Sequence, residues 1–187
     1  MFACQYGHKA LVDLLIQYGA NIRETTSIGY SPLIYACQNG TLDIVESLVS
    51  LGADIHQQDE RQYTPLIHAI DGRSLDVVKY LIQKGADVNV RDNNGQTPLI
   101  HASQIKFIEA MEFLLDHDAD VNVQNHRGET CLIQSIYYGN YEPIVRLLLR
   151  HHANITVRDQ NNKSAIDYAK ERGLSELENL LANSMIS

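Results

Sequence analysis

Thr64-Pro65-Leu66-Ile67 has a copy 33 residues downstream, Thr97-Pro98-Leu99-Ile100, and another 33 residues upstream, Ser31-Pro32-Leu33-Ile34. Thr130-Cys131-Leu132-Ile133 keeps the same spacing, and a degenerate fifth copy, Ser164-Ala165-Ile166, comes 34 residues after it. A fixed period of this length marks an array of small supersecondary units rather than one globular core. Working outward, a second anchor recurs as Gly19-Ala20-Asn21, Gly52-Ala53-Asp54, Gly85-Ala86-Asp87, Asp118-Ala119-Asp120 and His152-Ala153-Asn154. The extra residue therefore falls between Cys131 and His152, and Gly139-Asn140-Tyr141-Glu142-Pro143 is its expected place.

Each period reads as two short helices and an extended turn. Ser31, Thr64, Thr97, Thr130 and Ser164 stand where a side-chain oxygen can accept from the open N–H groups of a first helical turn. Pro32, Pro65 and Pro98 follow at the first helical position, where a missing N–H costs nothing. Leu33, Ala36 and Cys37, with Leu66, Ala69, Ile70 and Leu99, Ala102, Ser103, have the spacing of a buried helical stripe. Gly7, Gly40, Gly139 and Gly173 are placed to end the first helices in a left-handed turn. The second helices carry paired apolar residues, such as Ile44, Val45, Leu48, Val49 and Ile144, Val145, Leu148, Leu149, suited to neighbours on both sides.

In these residues the chain resembles the ankyrin-repeat family, whose units open with Thr-Pro-Leu-His-x-Ala, place Gly after the first helix and leave through Gly-Ala-Asp-Val-Asn. The resemblance runs from Met1 to about Ala182. It implies an all-α repeat fold, an ankyrin-repeat solenoid of stacked helix-turn-helix pairs with β-hairpin finger loops. Residues 1–187 form a single domain on this reading: a partial first repeat (1–25), full repeats (26–58, 59–91, 92–124, 125–158) and a C-terminal capping repeat (159–187). The departures are specific. Ile34, Ile67, Ile100 and Ile133 replace the family histidine, so apolar burial must substitute for its hydrogen bond to threonine. Lys106 and Asp118 stand where glycines would end helices, and strain or a reshaped turn is expected there.

Composition limits function. Fifteen Lys and Arg against 23 Asp and Glu give a net charge of −8 and a pI near 5.4 over 187 residues. Nucleic-acid binding is disfavoured, because phosphate neutralisation supplies most of that affinity, and anionic membranes are disfavoured for the same reason. No apolar run is long enough to span a bilayer. Cys4, Cys37 and Cys131 are too scattered for a disulfide framework. The expected setting is cytoplasmic, or the host cytoplasm if the chain belongs to a secreted effector, and the expected state is a monomer.

No catalytic, cofactor or metal site is assigned. Stacked helices lie roughly 8–10 Å apart, so His68 and His101 could share a zinc ion, which needs nitrogens within about 2.1 Å, only with inward rotamers and further ligands. Tyr35, His68, His101, Gln134 and Tyr168 are read instead as an exposed or half-buried ladder. Cys131 opens a helix, but only His126 is near as a base and no third group orients it. Asp54, Asp87 and Asp120 repeat with the turn and serve its geometry.

Binding is the remaining class. The resemblance implies a concave face built from the ends of the first helices and the finger tips. Five of the ten tyrosines fall on positions transferred to that face. Tyrosine and arginine are the residues that interface hot spots favour. The candidate partner-binding residues are Tyr30, Arg61, Tyr63, Ile105, Arg127, Tyr137 and Tyr138, and the expected partner is a protein or peptide. The competing reading is that finger tyrosines pack on the adjacent finger. A runner-up function is a targeting or substrate-recruiting segment of a larger enzyme or secreted effector whose catalytic domain lies outside these residues.

Overall fold

The computed structural model describes residues 1–139 and 142–184. The chain divides into two compact units, Met1–Asn93 and Asn94–Ser187. Among the described residues there are twelve α-helices, one π-helix and no strand.

The first unit contains α1 (Phe2–Gln5), α2 (Lys9–Gln17), α3 (Pro32–Asn39), α4 (Leu42–Ser50), α5 (Pro65–Asp71) and α6 (Leu75–Gln83). The odd-numbered helices pack side by side, and so do the even-numbered ones. Leu33, Ile34, Ile44, Leu48, Leu66, Ile67, Ile70 and Leu81 fill the space between the rows. Ser31 caps α3 by accepting from the Ile34 amide at 3.3 Å, with Pro32 at the first helical position. Thr64 and Thr97 have the extended backbone of a cap, but their buried hydroxyls have no partner among the described residues. The opening motif thus sets chain direction at every repeat and completes the cap bond only at Ser31, Thr130 and Ser164.

Gly40 ends α3 at φ 81°, and the amide of Thr41 reaches back to the Ala36 carbonyl. At α5 the left-handed role falls to Arg73 (φ 54°). Gly72, one residue earlier, is required for a different reason: a Cβ there would lie 2.4 Å from the Gln38 carbonyl oxygen of α3. At the other end of this unit, Phe2, Leu11, Leu14, Leu15 and Tyr18 remain exposed, and Val12 is the one buried residue of α2.

The second unit contains α7 (Pro98–Gln104), α8 (Ile108–Leu115), α9 (Cys131–Gln134), a π-helix (Ser135–Gly139), α10 (Glu142–Arg150), α11 (Ala165–Glu171) and α12 (Ser175–Asn183). Lys106 (φ 57°), Asp118 (φ 66°) and His152 (φ 60°) take left-handed backbone in place of glycine. This strain costs about 1–3 kcal/mol at each non-glycine position. The helix expected to end at Gly139 behaves differently. α9 passes into the π-helix, whose wider turn can hold one extra residue, and Gly139 ends it without a left-handed backbone. Asn140 and Tyr141 lie outside the described residues. At the π-helix end, Arg172 Nη1 donates to the carbonyls of Ile136 (2.6 Å) and Tyr137.

The fingers are tight turns without strand ladders. The first amide donates to the carbonyl four residues on from Thr26 to Tyr30, Asp59 to Tyr63, Asn125 to Glu129 and Asp159 to Lys163. Neighbouring fingers touch through single backbone bonds, Glu60 to Ile28 (3.3 Å) in the first unit and Gln160 to Arg127 (3.0 Å) in the second.

Candidate partner-binding site

The fingers from residue 59 onward carry one buried polar side chain at the base, Asp59, Asp92, Asn125 or Asp159, while Thr26 at the base of the first finger is half-buried. Asp59 Oδ1 accepts from the amides of Arg61 (2.8 Å) and Tyr63 (2.9 Å), which closes the turn, and Oδ2 lies 3.1 Å from His68 Nε2. Asp159 repeats the arrangement. Its Oδ1 accepts from Asn161 and Lys163 amides, and its Oδ2 accepts from the Tyr168 hydroxyl at 2.5 Å. Burial opposes the charge on Asp159, but hydrogen bonds from Tyr168, Lys163 and Asn161 outweigh it and hold the carboxyl below its usual pKa. Burial and the bond to Asp159 push the Tyr168 phenol up to about 12.

These contacts correct the ladder reading. His68, His101, Gln134 and Tyr168 are buried, and Tyr35 alone is half-buried. At His68, Gln134 and Tyr168, the side chains turn toward a carboxylate in the preceding finger, where a polar group can be buried with its partner satisfied. Burial lowers the His68 pKa, with Asp59 pulling the other way. Among the described residues no group of three or more His, Cys, Asp or Glu is arranged to hold a metal ion. Cys131 is buried and its thiol is pushed up to about 11 by burial, so little thiolate exists at neutral pH.

In the first unit the candidates Tyr30, Arg61 and Tyr63 form one cluster. The Tyr30 ring is buried edge-on against Tyr35 (5.3 Å) and His68 (4.9 Å). Its hydroxyl accepts from Arg61 Nη2 at 2.7 Å. The Arg61 guanidinium covers the half-buried Tyr63 ring at 4.4 Å. Tyr30 is thus a packing residue that positions Arg61, while Arg61 is exposed and Tyr63 lies half-buried beneath it.

In the second unit Arg127, Tyr137 and Tyr138 come together. Tyr137 and Tyr138 are 44% and 56% exposed, yet both rings are held: they meet edge-on at 4.6 Å, and Tyr137 packs on Tyr168 at 4.8 Å. The Tyr138 hydroxyl donates to Glu129 Oε1 at 3.4 Å, and burial together with the Glu129 charge raises its pKa above the usual value. Arg127 lies 5.8 Å from the Tyr138 ring centre. Ile105 is half-buried and, like Tyr137, does not line the opening that Arg127 and Tyr138 border. That opening is a cleft of about 500 Å³ whose walls include Gln104, Lys106, Arg127, Gln134 and Tyr138.

The sequence reading omitted Glu129, Gln134 and Arg172 from the site. Glu129 was detectable as the acid in a column otherwise occupied by Tyr30, Tyr63, Gln96 and Lys163. Arg172 had no local signal, because its acceptors are 35 and 36 residues away.

The sequence matches profiles described as "Ankyrin repeats (3 copies)" over residues 1–59 and 51–125, and "Ankyrin repeats (many copies)" over residues 114–169. The chain belongs to the ankyrin-repeat family. Ankyrin repeats generally serve as protein-interaction modules and are typically non-catalytic. A search of the curated proteins returned no match. No helix of this ankyrin-repeat chain, among the described residues, is long and apolar enough to cross a membrane.

Proposed function

We propose that this chain is a non-catalytic ankyrin-repeat module that binds a protein or peptide through the ends of its first helices and its finger tips, without nucleic acid or membrane as partner. The observation that carries the reading is the pair Tyr137 and Tyr138, exposed and yet fixed, with Tyr138 beside Arg127 on a cleft. Exposed aromatic rings that are already ordered lose little freedom when a partner covers them, so more of their contact energy is available for affinity. Arg61 and Tyr63 supply a second patch of the same composition. The three unpaired, buried cysteines fit a cytoplasmic, reducing setting, and a monomer is expected in sedimentation.

The test starts from a displayed library of random peptides selected against the full chain. Binders are measured against wild type, Tyr63→Ala and Tyr137→Ala/Tyr138→Ala, with melting followed in parallel. Peptides that lose at least about tenfold in affinity on the double change support the site, since tenfold is about 1.4 kcal/mol and truncating a hot-spot aromatic costs about 2 kcal/mol or more. Unchanged affinity with lowered melting assigns the tyrosines to packing and removes the reading.

A further inference from the structure

The two arginine-bearing fingers reach one outcome by different residues. In the first unit the acid is Asp59, two residues before Arg61, and the aromatic is Tyr63, two residues after it. In the second unit Asn125 replaces that aspartate and Glu129 replaces that tyrosine, so the acid has moved four positions. The aromatic is then supplied from another element, the π-helix, as Tyr138. In both, the guanidinium lies beside a buried acid and an aromatic ring, on a side chain that is 57% exposed at Arg61 and 62% exposed at Arg127.

The second-unit geometry decides what that group can take. Arg127 Nε and Nη2 both lie 3.1 Å from Glu129 Oε2. The same oxygen accepts from Asn125 Nδ2 and Gln134 Nε2 at 2.9 Å each, and Oε1 accepts from Tyr138. Glu129 is therefore buried with its oxygens in use, and a ligand cation finds no acceptor there. Arg127 is 62% exposed, and its Nη1 group and the remaining Nη2 hydrogen form a flat two-donor fork at the cleft. Lys106 lines the same cleft. The charged side chains that line the cleft, Arg127 and Lys106, are both cationic, in a chain whose net charge is −8. A planar fork of this kind matches a carboxylate with two parallel bonds, and its orientation is fixed before the ligand arrives.

Resting on the binding role of this cleft, we infer that the partner is an acidic peptide segment that places an Asp or Glu carboxylate on the outward edge of Arg127. The Tyr138 ring packs the aliphatic part of that residue, and Glu129 serves as a positioning residue that aims the guanidinium.

The experiment uses the selected library peptides. The expected result is enrichment of Asp and Glu, and a loss of about tenfold or more when one carboxylate in the peptide becomes the amide. Arg127→Lys retains a cation beside Glu129 and so keeps the fold, checked by melting. It should cost the peptide a similar factor, because an ammonium cannot reproduce the fork. Applied together, the two changes should cost little more than either alone. Peptides that need Tyr137 and Tyr138 but tolerate amidation of every carboxylate overturn the inference and leave the binding role standing. Peptides indifferent to both Arg127→Lys and the double tyrosine change, or no selected binder at all, count against both. If Arg127→Lys proves unstable, amidation of the peptide alone decides.

Discussion

Replacing Arg172 by methionine removes the two hydrogen bonds that close the π-helix while leaving most of the apolar stem in place. The acceptors are the carbonyls of Ile136, buried, and Tyr137, exposed. A hydrogen bond to a charged group is worth about 1.5–3 kcal/mol net. Arg172 is itself exposed, so solvent screening reduces the pair to about 2 kcal/mol. Among the described residues Arg172 is what closes this end, because Gly139, unlike Gly40, does not adopt a left-handed backbone. The effect should therefore be local. About 2 kcal/mol corresponds to roughly 30-fold faster amide exchange, concentrated at Ile136 to Gly139. The partner affinity should fall with it, since Tyr137 and Tyr138 lie on this segment. Native-state hydrogen exchange with mass readout measures the first quantity and peptide binding the second. Arg146→Met is the control: Arg146 pairs with Glu142 on an exposed helix face, where such pairs are worth about 0.3–0.5 kcal/mol. Exchange at 136–139 changing less than about threefold in Arg172→Met, a difference of under 1 kcal/mol, would refute the capping argument.

Three further outcomes are expected. Gly72→Ala should destabilise the first unit by about 1–3 kcal/mol through overpacking, despite the better helix propensity of alanine, because its Cβ meets the Gln38 backbone at 2.4 Å; a neutral or raised melting temperature would contradict the α3–α5 spacing. Burial lowers the His68 pKa from the usual 6.5, so the unfolded chain takes up this proton first as pH falls. Stability from this residue is then level at neutral pH, declines below pH 6.5 and flattens once the folded form also protonates. His68→Gln, which places at this position the residue found as Gln134 in the same column, should reduce that acid sensitivity in denaturant titrations across the range. Hydrogen exchange should be fastest in residues 1–25, because that end has one packing neighbour; protection there equal to that of α3 and α5 would argue otherwise.

The repeat architecture was legible because its determinants are local. Cap residue, proline and apolar stripe lie within about seven residues of one another in each opening, and a helix can be read from such a span alone. Left-handed positions were partly legible. Lys106 was found by its missing glycine, while Arg73 was missed because Gly72 stands beside it, although the 33-residue register from Gly40 points to 73. The buried state of His68 and Tyr168 was not legible. Which way such a side chain turns is decided by a carboxylate nine residues earlier, across a turn, as in the pairs Asp59–His68 and Asp159–Tyr168. The same holds for the candidate site. Tyr137 and Tyr138 were located by register, but their fixed geometry depends on Tyr168, Glu129 and Arg172, contacts that arise only when the repeats are packed.

The most direct test of the binding role is the affinity of a selected peptide for Tyr137→Ala/Tyr138→Ala, measured beside its melting curve. The account predicts that affinity falls about tenfold or more, a loss above 1.4 kcal/mol, while melting stays within a few degrees of wild type, because both rings are about half exposed. Retained affinity together with a marked drop in melting temperature would contradict it.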